Sequence, residues 1–233
     1  MQKSYNMIDS KSALAIARSS SFLRGLEHSA AQSILAAARI RKIPAKHHIT
    51  SAGHPATHLF LVQRGRACYY HLTKRGELVL LAWLAPGDVI GLVALLKGPS
   101  PYMAATEATS DCELLAWEHK VIRKLVSRHP LLGENGLHMA LGYLQGYVQR
   151  HIGLVTKTAE ERLAETLLRL ADKSGEVRSG GVEVRATNDE LGALADISPF
   201  TASRVLRKWA RKGILSKGRG RVFVHAPEAL MID

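Results

Sequence analysis

Cysteine is scarce in this sequence: only Cys68 and Cys112 occur among 233 residues. Two thiols are too few for a disulfide scaffold, and an iron–sulfur cluster held entirely by cysteine needs more thiolates than this. We therefore expect a protein of the reducing cytoplasm in which both cysteines are buried and chemically inert.

Long apolar runs are also missing. The most apolar stretch, residues 78–96, is divided by a Pro-Gly-Asp turn at 86–88. Each piece is far shorter than the roughly 20 residues that span a bilayer. Near the N-terminus, Lys11, Arg18 and Arg24 interrupt the apolar core that a secretion signal would need. We predict neither a membrane-spanning segment nor a membrane partner.

Acidic residues are outnumbered: 20 Asp and Glu stand against 32 Lys and Arg, which gives a formal net charge of +12 at pH 7. This balance favours a polyanionic partner, although it does not by itself distinguish nucleic acid from an anionic membrane. Between Ser198 and Arg221 the sequence has eight Lys or Arg and no Asp or Glu. Such a cluster is typical of a surface that contacts phosphates.

Two patterns follow one another along the chain and predict an α+β fold. Short β-rich runs come first, and Gly65, Gly76 and Gly87 recur among them at equal spacing, which favours an antiparallel β-roll with tight turns. Helical periodicity follows. The predicted parts are an N-terminal arm at 1–20, a β-roll sensor domain at 21–130, a long dimerisation helix at 131–156 and a C-terminal winged helix-turn-helix domain at 157–233.

The long helix has an apolar stripe suited to a second helix, because its residues recur at alternating spacings of four and three. The predicted homodimer interface consists of Leu137, Leu141, Leu144, Val148, His151 and Val155. The alternative is a helix that packs only on its own domain. Gly142, Gly146 and Gly153 weaken the helix by roughly 1 kcal/mol each, although they would also permit close approach of a partner.

Signals for helix starts divide the C-terminal part into short helices. Thr158 with Glu161 and Thr187 with Glu190 have the spacing of capping boxes, in which side chain and backbone groups satisfy one another. The helix that begins after Thr187 ends shortly before Ser198, which can cap the next helix. A short break between two such helices is the spacing of a helix-turn-helix.

The second helix of this motif has an apolar side and a side rich in arginine. One guanidinium can bridge two acceptors of guanine in the major groove, so Arg204 is the leading candidate to read a base. A hairpin with a basic, Gly-rich tip at 217–221 predicts a wing that contacts backbone phosphates, the alternative being a solvated basic turn. The predicted DNA-binding residues are Ser198, Phe200, Thr201, Ser203, Arg204, Arg207, Arg211, Lys217, Arg219 and Arg221.

Three stretches of the chain, 87–91, 161–170 and 188–209, resemble the CRP/FNR family of bacterial transcription regulators. Members of that family join a β-roll of the cyclic nucleotide-binding type, a dimerising helix and a winged helix-turn-helix. The resemblance implies a homodimer that binds a palindromic operator in double-stranded DNA, with half-sites about one helical turn apart. It also implies RNA polymerase as a partner.

The recognition helix departs from the family's usual pattern of a Glu, a small residue one turn later and then an Arg. Ser203 and Arg204 match, but Phe200 occupies the Glu position, and Pro199 stands where some members have Arg. The operator is therefore not inferred from relatives. Phe200 either contacts a thymine methyl or packs against the preceding helix.

The signal that the β-roll senses is unknown. Family members that bind cyclic AMP have a Gly-Glu-Leu turn and a later Arg-Ser or Arg-Thr pair, which hold ribose and phosphate. Here the turn reads Gly-Leu-Val at 91–93, and the pair is replaced by Tyr102 and Met103, so we expect no cyclic AMP binding. Residues 1–40 contain no cysteine, so we expect no iron–sulfur cluster of the kind used by the oxygen-sensing branch.

Histidines leave haem or a metal as possible cofactors. Five of the eleven histidines are gathered among the β-rich runs of the predicted roll, at His47, His48, His54, His58 and His71. Their spacing matches no closed ligand set, which favours surface or structurally hydrogen-bonded imidazoles. The cofactor therefore stays unknown.

Two other functions are compatible with parts of the sequence. A cupin-like metal-dependent enzyme would use clustered histidines with a carboxylate, but no carboxylate stands at suitable spacing, and the basic C-terminal part would be unexplained. A protein-interaction adaptor would show neither steep salt dependence nor a preference for one DNA sequence. We expect a regulator and no enzymatic activity.

Overall fold

The computed structural model describes residues 20–76, 78–98 and 100–230. The predicted N-terminal arm lies outside these residues except for its last position. The chain divides into two compact units, the first ending at Leu144 and the second beginning at Gln145. In the part of the chain described, no helix is both long and apolar enough to cross a membrane. The three boundaries between the four predicted domains stay a prediction.

The first unit is the predicted antiparallel β-roll. Its strands are β1 (Arg39–Ile43), β2 (His48–Thr50), β3 (His58–Arg64), β4 (Ala67–Leu72), β5 (Leu78–Leu84), β6 (Val89–Ile90), β7 (Ala105–Ala108) and β8 (Cys112–Glu118). They form two four-stranded sheets with the orders β1-β8-β3-β6 and β2-β7-β4-β5. The α+β class and the roll are confirmed.

The tight turns of the roll need glycine where the sequence predicted it. Gly65, Gly76 and Gly87 have φ of +89°, +78° and +95°, in the left-handed region that a side chain disfavours. At Gly65 a Cβ atom would also lie 2.3 Å from the carbonyl oxygen of Asp111. A substitution there would displace the turn between β3 and β4.

Two helices, α1 (His28–Ala36) and α2 (His119–Arg128), pack with the roll around a common core. Trp117 of β8 lies at its centre, 1% exposed, and its indole Nε1 donates a hydrogen bond of 2.8 Å to the carbonyl oxygen of Ile34. This bond lets a large side chain be buried without leaving its polar atom unsatisfied.

Both cysteines are free and buried, as predicted. The Cys112 thiol donates to the carbonyl oxygen of Arg66 at 3.2 Å, and burial raises the pKa of Cys112. A raised pKa keeps the group as a thiol, which is the unreactive form.

The long helix α3 (Pro130–Thr156) begins in the first unit and ends in the second. The second unit adds the helices α4 (Ala159–Ser174), α5 (Asn188–Ala195) and α6 (Pro199–Arg211), and the strands β9 (Glu176–Arg178), β10 (Gly181–Val184), β11 (Leu215–Gly218) and β12 (Arg221–Val224). The strands form one antiparallel sheet in the order β11-β12-β10-β9. This arrangement is a winged helix-turn-helix with α5 and α6 as its two helices.

Candidate nucleic-acid interface

The helices of the second unit start at the predicted caps. The hydroxyl of Thr187 accepts from the amide of Glu190 at 3.2 Å, and the Glu190 carboxylate accepts from the Thr187 amide at 2.6 Å. Thr158 and Glu161 form the same reciprocal pair at the start of α4. Hydrogen bonding from Thr158 lowers the pKa of Glu161 because it favours the carboxylate.

Helix α6 begins at a cap that fixes its first turn. The Ser198 hydroxyl accepts from the Thr201 amide at 3.0 Å, and Pro199 occupies the first helical position. The Ser198 and Thr201 hydroxyl oxygens are also 2.9 Å apart and share a hydrogen bond. The predicted contacts Ser198 and Thr201 therefore support the helix start in this structure, whatever else they bind.

Helix α6 has one buried face and one open face. The buried face consists of Ala202, Val205, Leu206 and Trp209, each at most 7% exposed. The opposite face has exposed Phe200, Arg204, Arg207 and Arg211, with Thr201 and Ser203 half-buried at its edge. The separation of faces predicted from the sequence is thus the one observed.

Side-chain hydrogen bonds join α6 to helix α4. The Glu160 carboxylate accepts from the Trp209 indole Nε1 at 3.0 Å and from the Lys208 ammonium at 2.8 Å. One carboxylate therefore joins two neighbouring positions of α6 to the first turn of α4. Because the apolar face is packed and its tryptophan is hydrogen-bonded, α6 cannot rotate about its axis without losing these contacts, so the face that bears its arginines keeps a fixed direction.

The turn of the wing is shorter than the sequence indicated. Its strands reach Gly218 and begin again at Arg221, and these two residues are paired in register. The turn is therefore only Arg219-Gly220, with Gly220 at φ +68°. The prediction that 217–221 forms the tip was too wide, because cross-strand pairing continues to the last residue before a two-residue turn.

The wing and the starts of α5 and α6 border a groove of about 530 Å³, whose lining includes the carboxylate of Asp189 as well as cations of the wing. Phe200, Lys217 and Arg219 are among its lining residues. Burial, followed by the positive charge of Arg207, lowers the pKa of Lys217, so cations of the wing and of α6 act on each other. Such a site favours an anion. Arg221 forms an ion pair of 3.6 Å with Glu183, so the carboxylate neutralises part of its positive charge.

A second candidate surface runs along α3. The predicted seam is open in the single chain, and its five apolar members are 45–77% exposed. These are Leu137, Leu141, Leu144, Val148 and Val155. His151 is exposed as well. Tyr147, Ile152 and Leu154 add further exposed apolar area that the seam pattern did not include.

In the β-roll, Tyr102 fills the space beside the turn at 91–93. It is 7% exposed, and its hydroxyl donates to the His58 carbonyl oxygen at 2.8 Å and accepts from the His58 amide at 3.1 Å. A Cβ atom on Gly91 would lie 2.8 Å from the Tyr102 ring. Met103, next to it, is 76% exposed.

The histidines of the roll engage nearby groups. His47 and His54 hydrogen-bond through Nδ1 to the carbonyl oxygens of Ala45 and Ala52, and His58 Nδ1 lies 2.9 Å from the hydroxyl of its neighbour Thr57. Burial and the nearby Arg41 lower the pKa of His58. Within residues 20–76, 78–98 and 100–230, no three His, Cys, Asp or Glu side chains are arranged to hold a metal ion.

Several residues that shape the interface were not predicted. They are Glu160, Arg150, Arg162 and Asp196, whose side chains join elements of the second unit. Apart from the bond of Arg162 to Lys157, their partners lie 33–49 positions away along the chain. Local patterns of charge and hydrophobicity contain no signal for pairs so far apart.

Comparison with known proteins agrees with this architecture. The profile of the cyclic nucleotide-binding domain matches residues 40–129, and that of the Crp-like helix-turn-helix domain matches residues 161–231. The chain is 32% identical to the cyclic AMP receptor protein of Thermus thermophilus over 177 residues, covering 75% of this chain and 77% of that protein. It is 26% identical to the cAMP-activated global transcriptional regulator CRP of Escherichia coli O157:H7, covering 76% and 85%.

Solved structures show the same fold. FixK2 from Bradyrhizobium japonicum superposes with a TM-score of 0.73 at 23% identity, covering 83% of this chain and 95% of that one. A CooA mutant from Carboxydothermus hydrogenoformans gives 0.69 at 22% identity, covering 85% and 88%. The Crp-like helix-turn-helix domain and the Escherichia coli relative are those of a transcription regulator, so the enzyme alternative is not supported. The chain belongs to the CRP/FNR family and is a DNA-binding transcription regulator.

Proposed function

We propose that the protein acts in the cytoplasm as a homodimer on a palindromic operator, with one α6 in each of two successive major grooves. The observation that supports this most is the open face of α6, whose arginines stand beside a basic wing while its apolar back is locked to α4. A fixed row of donors can read base edges, whereas mobile cations supply only non-specific attraction.

Different residues have different roles in this proposal. Arg204, with Ser203 and Phe200, reads base edges, and Arg207 and Arg211 lie further along the same face. Lys217 and Arg219 contact phosphates and set the register of the protein on the duplex. Arg221 contributes less, because Glu183 already neutralises part of its charge. Ser198 and Thr201 contact the backbone while capping α6.

The second copy is held along α3. Its exposed apolar stripe would bury five aliphatic side chains against the same stripe of a partner, and each buried aliphatic side chain contributes about 1.5–3 kcal/mol. A two-fold axis along this stripe presents two α6 helices to DNA in a symmetric way, which is why the operator is expected to be a palindrome. RNA polymerase is the further partner that the family implies.

The signal is not cyclic AMP in this proposal. A cyclic phosphate needs a cation and hydroxyl or amide donors around it. At the two positions that would supply a guanidinium and a hydroxyl, this chain has a buried Tyr102, whose hydroxyl already bonds the His58 backbone, and an exposed Met103. A small molecule, haem and constitutive DNA binding are the alternatives that this proposal leaves for the signal.

The experiment that tests this function is selection of bound sequences from a pool of random duplexes by the purified full-length protein. We expect a palindrome whose half-sites are separated by about one helical turn. The affinity for it should fall steeply with salt, and a scrambled duplex should bind about 10³-fold more weakly or worse. Recovery of no shared sequence would contradict the proposal.

A further inference from the structure

The turn between α5 and α6 contains an unusual backbone position. Asp196 follows the last residue of α5 and has φ +54° and ψ +47°, in the left-handed region. Glycine adopts this conformation without steric cost, and aspartate is one of the few other residue types that adopt it, at a cost that hydrogen bonds of its side chain can offset. The contacts of the Asp196 carboxylate therefore bear directly on the shape of this turn.

Arg150 of α3 makes those contacts. Its Nε and one terminal nitrogen donate to the two carboxylate oxygens of Asp196, each at 2.5 Å, and the same nitrogen donates to the Ala193 carbonyl oxygen at 2.9 Å. Two parallel hydrogen bonds to one carboxylate fix orientation as well as distance. The side chains are 17% and 27% exposed, so water screens this pair less than a surface pair.

A second arginine secures the same turn from α4. Arg162 donates to the carbonyl oxygens of Ala195 at 2.9 Å and Asp196 at 3.3 Å, and to that of Lys157 at 2.7 Å. Gly153 of α3 lies against the Arg162 stem, since a Cβ there would be 4.0 Å from the Arg162 Cδ. Arg162 therefore holds the helix-turn-helix to α4 and to the joint that precedes it.

The Arg150–Asp196 pair crosses a break in the helices. Helix α3 ends at Thr156, and α4 begins after its cap Thr158, so a short joint connects them. Arg162 acts on the α4 side of that joint, whereas Arg150 reaches over it from α3 to the turn that leads into α6. Of the side-chain contacts just described, only those of Arg150 tie the body of α3 directly to the helix-turn-helix.

We propose that Arg150 and Asp196 are positioning residues: their bidentate pair fixes the direction of α6 relative to the end of α3 and thereby sets the half-site spacing that the protein accepts. This inference rests on the proposed dimer, in which α3 contains the two-fold contact. If α3 is the fixed frame of the dimer, a rigid joint presents the two α6 helices at one separation. A loose joint would accept several separations.

The test uses the selected operator, versions with the half-site spacing changed by one base pair in either direction, and a duplex with a single half-site. Binding of the full-length protein is measured by fluorescence anisotropy at one salt concentration. Arg150→Met removes the donors, and Asp196→Gly removes the carboxylate while relieving the left-handed strain. Gln149→Met, at an exposed position of the same helix, is the matched control.

We expect the wild-type protein and Gln149→Met to prefer the selected spacing by about tenfold. Arg150→Met and Asp196→Gly should each prefer it by less than about threefold. Affinity for the single half-site should stay within about twofold of wild type, because the pair does not shape the reading face itself. Two different substitutions giving one phenotype would identify the pair as the cause.

Three outcomes would overturn the inference. The first is that Arg150→Met or Asp196→Gly keeps the full spacing preference, and the second is that affinity for the single half-site falls in parallel, which would mean that the pair only stabilises the domain. Thermal unfolding distinguishes these cases, since Asp196→Gly relieves strain and is expected to leave the domain folded. The third is that the wild-type protein shows no preference for a palindrome, which would contradict the proposed dimeric function and, with it, the role of the Arg150–Asp196 pair.

Discussion

Arg204 has buried residues on both sides of it along α6, with Ala202 before it and Val205 after it. Those neighbours determine which way the helix faces, so the guanidinium extends from the open side. In the part of the chain described, no side chain forms an ion pair with it, whereas Arg221 already pairs with Glu183. A free guanidinium on a fixed helix is the group best suited to bridge two acceptors of one guanine.

Arg204→Ala is expected to cost about 1–3 kcal/mol of binding to the selected operator and to relax the preference at one base pair per half-site. Affinities for all single-base variants of a half-site provide the measurement. Lys217→Ala is the contrast, because loss of a phosphate contact weakens every sequence alike and lowers the salt slope by about 1. Arg128→Ala, which removes an exposed charge from the end of α2 in the first unit, is the control. A uniform loss for Arg204→Ala would demote that residue to a phosphate contact.

Phe200 is 72% exposed at the start of α6, so it does not pack against the preceding helix in this structure. We expect its ring to contact a thymine methyl. Replacing thymidine by deoxyuridine in the operator removes only that methyl, and its loss should weaken wild-type binding by about fourfold, the effect of one buried methyl group. Phe200→Ala should bind both DNAs equally. A thymine preference that survives in Phe200→Ala would show that another residue reads the methyl.

Residue-level prediction from the sequence succeeded where the interaction is local. The hydroxyl caps at Thr158, Thr187 and Ser198 lie within one helical turn of the amides that they satisfy, so a short pattern reveals them. The bond from Trp209 to Glu160 spans 49 positions. Such contacts depend on how helices pack, and the sequence alone could identify the reading face but not what holds it in place.

At the scale of elements, α3 and the wing show what periodicity can and cannot predict. The bounds of α3 and the exposure of its stripe agree with the heptad-like spacing. Tyr147, Ile152 and Leu154 are exposed too, so the apolar surface is wider than one seam. In the wing, basic composition indicated the hairpin, but its turn length depends on strand pairing, which composition does not encode.

Leu141→Glu and Leu144→Glu each place a charge in the proposed α3 seam. We expect either change to shift the protein toward the monomer, because it replaces a side chain whose burial contributes about 1.5–3 kcal/mol with a group that is costly to bury. Analytical ultracentrifugation measures the shift, and affinity for the palindrome should fall while that for a single half-site stays. Gln149→Glu, on the same helix but outside the seam, serves as the control. Unchanged dimers in both seam variants would place the interface elsewhere.

At the scale of the whole molecule, the order of roll, long helix and winged helix-turn-helix followed from changes in residue pattern along the chain. The signal did not. The sequence alone shows that neither position 102 nor position 103 is an arginine, so the lack of a guanidinium there could be predicted. What occupies the space is a matter of three-dimensional packing: the Tyr102 hydroxyl bonds the backbone of β3 at His58, a contact 44 positions away.

The central claim is that two copies of α6, each held in place by its contacts with α4, recognise a specific DNA sequence. Its most direct test compares full-length protein binding to the selected palindrome and to a scrambled duplex of equal length and composition, at one fixed salt concentration. The account predicts at least about a 10³-fold difference in affinity, reduced most by Arg204→Ala. Equal and weak binding to both duplexes would contradict it.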